Sequence, residues 1–147
     1  MKPKQYELEE SLGYLVGRAG RSMGARLNRN FTDAGFDVTC EQWAVLMNLW
    51  NKNGQSQQEL AGITCKDKTS VTRLIDGLEK RDLVVRTPDK IDRRQKLIYL
   101  TNKGKNLQQR LIQIVQKTLL DAQKGISPKE IAICKKVLRS VYENMSG

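Results

Sequence analysis

The 147-residue chain has no histidine, three cysteines, three prolines, eight aromatic residues, and no apolar run longer than Trp43 to Met47. Without imidazole, nucleophile–histidine pairs and the common histidine-containing zinc sites are absent, and no nucleophile stands beside another base. No catalytic residue, cofactor or metal site is therefore expected. The thiols at 40, 65 and 134 cannot all pair within the chain and lack ligand spacing, so free cysteines in a reducing compartment are expected. Five apolar residues fall far short of the roughly 20 that cross a bilayer. Behind Lys2 and Lys4 no apolar stretch follows, so no secretory signal is predicted and the expected location is the cytoplasm, without a membrane partner.

Acidic residues are also scarce, 16 against 26 basic, which leaves a net charge of +10 and an isoelectric point near 9.7. Such a balance favours a polyanionic partner, nucleic acid first and an acidic membrane surface second. The excess is uneven. Residues 1–53 carry a net +1, 54–104 carry +4 and 105–147 carry +5. No repeat, low-complexity tract or linker divides the chain, so one domain over 1–147 is expected.

Apolar residues at steps of three and four from Leu8 to Leu27 predict a first helix over about Tyr6–Phe31. Beside them Gly13, Gly17, Gly20 and Gly24 form a second stripe that costs about 3 to 4 kcal/mol of helix propensity relative to alanine. A closely packed helix, or space left for a ligand, would explain it. Thr39 and Gln42 form a capping box for a helix to about Asn51, with Val38 placed to staple onto Trp43. Ser56 and Glu59 open a short helix expected to break at Gly62-Ile63-Thr64. A helix near Asp67–Arg81 buries Val71, Leu74, Ile75 and Leu78, leaving a polar, basic opposite face. Leu83–Thr87 and Lys96–Leu100 read as a hairpin around a charged tip. Thr101 caps a long helix carrying Leu107 to Ala122, and Ser127-Pro128-Lys129-Glu130 starts the last.

Two short helices followed by a basic hairpin describe a winged helix-turn-helix for double-stranded DNA. The fold class is mainly α, with a small two- or three-stranded wing and long flanking helices. Lys68, Thr69, Thr72 and Arg73 are expected on the solvent side of the second helix, Ser70 at its margin and Lys66 in the preceding turn. Arg73 suits guanine O6 and N7, whereas Lys66 and Lys68 suit phosphates. The wing presents Arg86, Lys90, Arg93, Arg94 and Lys96 against Asp89 and Asp92. Arg93 or Arg94 is expected in a minor groove, and Asp92 is expected to align an arginine by a charge-assisted hydrogen bond.

These residues resemble the MarR family of transcriptional regulators. The likeness rests on Ser56–Ala61, Lys66–Ile75, Leu78–Arg81, the Asp-x-Arg of Asp92 and Arg94, and the Leu-Thr-x-x-Gly of Leu100, Thr101 and Gly104. It implies a homodimer in which 1–35 and 102–147 form a helical dimerisation region, while 36–101 reads half of a near-palindromic operator. It also implies a small-molecule effector; Gly17, Gly20, Trp43 and Met47 are the residues expected near its pocket. Asp82 departs from the family by standing where glycine usually follows the recognition helix. Cys65, beside Lys66 and Lys68, is the redox candidate for an alternative thiol-switch reading. A nonspecific architectural role is a further alternative, weakened because the few aromatics fall in core-like positions.

Overall fold

The computed structural model describes residues 5–64 and 67–147. After a single 3-10 turn at Leu8–Glu10, the chain forms α1 (Leu12–Asp33), α2 (Cys40–Asn51), β1 (Gln55–Ser56), α3 (Gln57–Thr64) and α4 (Lys68–Lys80). It continues through β2 (Val84–Pro88), β3 (Lys96–Leu100), α5 (Asn102–Asn106), α6 (Gln108–Ala122) and α7 (Pro128–Ser146). The first predicted helix is interrupted where Ser11 takes an extended conformation. By contrast, α3 runs through the expected break. Gly62 weakens the helix without removing a backbone hydrogen bond, and the Thr64 hydroxyl donates back to the Leu60 carbonyl at 2.7 Å.

Local signals set the helix starts. In α2, Thr39 Oγ1 accepts from Gln42 N, while Gln42 Oε1 accepts from Thr39 N, both at 3.1 Å. Ser56 and Glu59 form the same reciprocal pair at α3, as do Ser127 and Glu130 at α7. Each satisfies two backbone donors that a helix N-terminus otherwise leaves open. At the C-terminus of α4, Asp82 sits at φ 61. Its N–H donates to Glu79 O and that of Leu83 to Leu78 O, the paired bonds of a Schellman ending with aspartate in the position glycine usually fills.

The sheet is antiparallel in the order β1-β3-β2, with Val84 opposite Leu100, Arg86 opposite Ile98, and β1 adding a third strand at Gln55–Ser56. Its inner face and helices α2, α3 and α4 enclose Val45, Leu46, Leu49, Leu60, Val71, Ile75, Leu78, Leu83, Val84 and Ile98. Each such side chain contributes about 1.5 to 3 kcal/mol relative to exposure. Leu27 and Phe31 of α1 join Leu111 and Val115 of α6 in the same core, and Asn30 Nδ2 donates to buried Thr118 Oγ1 at 2.8 Å. These contacts couple the long helices to the winged unit.

Two glycines mark close approaches. A Cβ on Gly77 would lie 2.6 Å from Nε2 of buried Gln42, which accounts for glycine inside α4 where it meets α2. At Gly104 a Cβ would run into the Leu83 carbonyl oxygen, while the Gly104 carbonyl accepts from Trp50 Nε1 at 3.0 Å. The glycine of Leu-Thr-x-x-Gly thus lets α5 lie against the backbone that leads from α4 into β2. The stripe in α1 differs: open space lies beside Gly13 and Gly20, and only Cys40 Sγ approaches Gly24. The close neighbour expected from that stripe is absent among the described residues of this chain.

Gly104→Ala is expected to lower the unfolding free energy by about 3 kcal/mol, because the obstructing atom is backbone and cannot rotate away. Urea unfolding followed by circular dichroism measures this shift.

Candidate nucleic-acid interface

Helix α4 begins at Asp67, whose carboxylate accepts from Ser70 N at 2.7 Å. Hydrogen bonding to that backbone N–H is the main cause holding the Asp67 pKa below its ordinary value. Glu59 is shifted the same way, first by its bond from the Ser56 backbone. Lys68, Thr69 and Arg73 are exposed along the first two turns of α4. A lysine at a helix N-terminus opposes the macrodipole, so Lys68 costs the helix a few tenths of a kcal/mol and strengthens the positive field offered to an anion.

Ser70 and Thr72 are half-buried. Thr72 faces inward more than its spacing predicted: its hydroxyl donates to Lys68 O at 2.8 Å and accepts from Gln57 Nε2 at 2.9 Å. Lys66, the other predicted phosphate contact, and Cys65, the redox candidate, lie outside the described residues.

The placement of Arg86 corrects the sequence expectation. Its side chain is only 18% exposed and points at α4, with Nη2 2.6 Å from Asp76 Oδ1 and Nη1 2.9 Å from Glu79 Oε1. Nε donates to Gln57 Oε1 at 3.2 Å, and Nη2 also reaches Thr72 O at 3.3 Å. One guanidinium therefore ties β2 to α3 and α4, and its donors are committed within the protein. Strand alternation carried the signal. Arg86 shares a face with buried Val84, and Asp76 and Glu79 stand one helical turn apart on α4.

The wing tip is ordered by short bonds. Asp89 N donates to Gln95 O at 2.9 Å, Gln95 N to Asp92 O at 3.0 Å, Ile91 N to Asp89 Oδ1 at 3.0 Å, and Arg94 N to Asp92 Oδ1 at 3.1 Å. Asp92 thus holds the backbone of Arg94 and not a guanidinium as expected, because an aspartate two residues ahead reaches the main chain first. Lys90, Arg93 and Arg94 are exposed, and neither arginine has an ion-pair partner among the described residues. Lys68, Asp92, Arg94 and Lys96 line one cleft of about 310 Å³ with Gln57, Gln58 and Gln95. Recognition-helix and wing cations thus converge at one opening.

Of the residues expected near an effector, Trp43 and Met47 are half-buried in α2, and Gly17 and Gly20 lie on α1. None of the four lines the two hollows between α1 and α6. The larger, about 370 Å³, is bordered by Ser22, Met23, Arg26, Arg29, Thr118 and Asp121. Next to it is one of about 150 Å³, lined by Met23, Gly24, Leu27, Val115, Thr118 and Leu119. Among the described residues, no cluster of three His, Cys, Asp or Glu side chains is placed to hold a metal ion, and no helix is long and apolar enough to cross a membrane.

Residues 38–96 match the model of the MarR family. The transcriptional regulator MhqR of Bacillus subtilis (strain 168) is 26% identical over 130 residues, 88% of each chain. The structure superposes on BpsR of Bordetella bronchiseptica, whose DNA binding is regulated by 6-hydroxynicotinic acid, with a TM-score of 0.86 and 25% identity over 95% of this chain and 98% of that one. For the transcriptional regulator PA3341 the values are 0.77 and 31%, covering 92% and 98%. A MarR family regulator from Listeria monocytogenes solved with a 26mer DNA gives 0.81 and 26%, covering 92% and 89%.

Two outcomes test this geometry. Arg86→Ala is expected to cost about 2 kcal/mol in urea unfolding, since it leaves Asp76 and Glu79 facing each other without their shared cation, and Arg86→Lys recovers only part of the loss. Because the Asp67 pKa is depressed on folding, its contribution is present above the ordinary carboxylate range and lost as pH falls through it, below about pH 4. Asp67→Asn keeps a capping oxygen without the charge. Its stability is expected to fall less steeply with acid than the wild type's in parallel urea titrations.

Proposed function

The chain belongs to the MarR family of transcriptional regulators, and from that premise we propose that it binds a near-palindromic operator as a homodimer and is controlled by a small-molecule ligand. It is a DNA-binding regulator and not an enzyme. The convergence of Lys68 on α4 with Arg94 and Lys96 of the wing on one cleft carries the reading, because it aims two separate elements at a single duplex.

In this reading α4 enters the major groove. Arg73 reads guanine, Thr69 and Ser70 approach the bases and phosphates near the helix start, and Lys68 holds a phosphate with Lys66. Lys90, Arg93 and Arg94 follow the wing into the adjacent minor groove, whose negative potential attracts arginine. Thr72, Arg86 and Asp92 act by positioning: the first two brace α4 against β2, and the third shapes the tip.

The dimer reading is supported by apolar surface the chain does not cover. No residue of α7 is buried, although Ile133, Val137, Leu138, Tyr142 and Met145 lie along it, and Leu12, Leu15, Val16 and Met23 are exposed on α1. A second copy would bury these faces, and the open space at Gly13 and Gly20 would let its backbone come close. Two winged units would then meet half-sites about one helical turn apart.

Ligand control is supported by the regulation of BpsR by 6-hydroxynicotinic acid and by the paired hollows between α1 and α6, which share Met23 and Thr118. Arg26 and Arg29 at the larger hollow would suit an anionic ligand. Binding there would act on the helices that carry the two winged units. The cytoplasm is the proposed place of action, in keeping with a regulator that binds DNA.

Fluorescence anisotropy with DNA from upstream of the protein's own gene, against scrambled DNA over a series of salt concentrations, is the test. Preference for the native sequence with one dimer per site is expected; equal binding to both would defeat the specific-operator reading at that site. Arg73→Ala should cost about 1 to 3 kcal/mol and relax base preference, whereas Lys68→Ala should weaken all sequences alike and flatten the salt slope by about one. A Lys68 variant with altered sequence preference would overturn that division.

A further inference from the structure

The wing tip exposes an apolar side chain among its cations. Ile91 is 97% exposed at the tip, between Lys90 and Asp92 and two residues before Arg93. An apolar concavity on the outer face of the hairpin is lined by Val85, Thr87, Pro88, Leu97 and Tyr99 with Ile91 itself at its rim, yet Ile91 keeps nearly all of its surface in solvent. The hydrogen bonds of the tip maintain the projection. Ile91 N is held by Asp89 Oδ1, and the loop is closed on either side by Asp89 N to Gln95 O and Gln95 N to Asp92 O. An isoleucine held in water on a braced, positively charged hairpin offers apolar surface at the place where a polyanion drawn to the neighbouring cations would cover it.

We propose that Ile91 is an apolar contact to the minor groove, buried against the deoxyribose edges of the same groove that Lys90, Arg93 and Arg94 follow. The inference rests on the DNA-binding reading above and assigns the tip a part that arginine cannot play. Sugar edges are C–H surface, so a branched aliphatic chain gains there by leaving water, and branching at Cβ leaves it little rotamer freedom to lose. Aliphatic side chains are among those that proteins place in minor grooves. The contribution is independent of counterion release and therefore of salt.

The test uses Ile91→Ser and Ile91→Ala with a duplex that the wild type enriches from a random-sequence library. Both substitutions lie at a solvent-exposed position and leave every tip hydrogen bond in place. Ile91→Ser is expected to weaken binding about fivefold to tenfold at every salt concentration with an unchanged salt slope, and Ile91→Ala to fall between it and the wild type. Hydroxyl-radical footprinting, which reads access to sugar hydrogens, should show protection beneath the wing in the wild type that Ile91→Ser removes. Equal affinities, a slope that moves with the substitution, or protection that survives it would overturn the inference. Failure of the wild type to enrich any sequence would instead defeat the operator reading, which separates the two.

Discussion

The ion-paired guanidinium of Arg86 is the joint on which the DNA-facing half of the molecule depends. Recognition by a helix and a hairpin together requires that their separation be fixed before either meets a duplex, since a wing free to swing would lose entropy on binding. Asp76 and Glu79 are each about half exposed, so either pair alone would be worth little in water. Their effect comes from sharing one cation that also holds Gln57 and the Thr72 carbonyl, at a side chain largely withdrawn from solvent. The fork geometry of arginine allows this, and the ammonium of lysine does not.

Around that joint, glycine appears where a side chain or a backbone from another element comes close. Gly77 admits Gln42 between α2 and α4, and Gly104 brings α5 onto the Leu83 carbonyl so that Trp50 can donate to the same turn. Loss of helix propensity at Gly77, about 1 kcal/mol, is offset by packing that a side chain would obstruct. Gly13 and Gly20 of α1 have no such neighbour among the described residues. Together with α7, none of whose residues is buried, they leave apolar surface of the long helices exposed.

Charge on the wing divides in the same way between holding and reaching. Asp89 and Asp92 spend their carboxylates on the main chain of the tip, which keeps Ile91, Arg93 and Arg94 directed outward. Acidic residues in this basic hairpin thus order its backbone. Arg93 and Arg94 stand exposed, with no ion-pair partner among the described residues.

What the sequence alone determined lies within about four residues along the chain. The capping pairs Thr39–Gln42, Ser56–Glu59 and Ser127–Glu130, the apolar periods of α4 and α6, and the two long wing strands are local matters of spacing and backbone satisfaction, and all were legible. The tertiary structure alone decided which cations are available to a partner. Arg86 and Arg94 carry the same charge in the same hairpin, yet one is committed to α3 and α4 and the other stands in solvent. That difference depends on Gln57, 29 residues away from Arg86, being brought to it by the packing of three elements. The third strand and the inward hydroxyl of Thr72 arose likewise from contacts between distant segments. Local spacing has no term for such contacts, because the distance between two packed elements is set by the whole core.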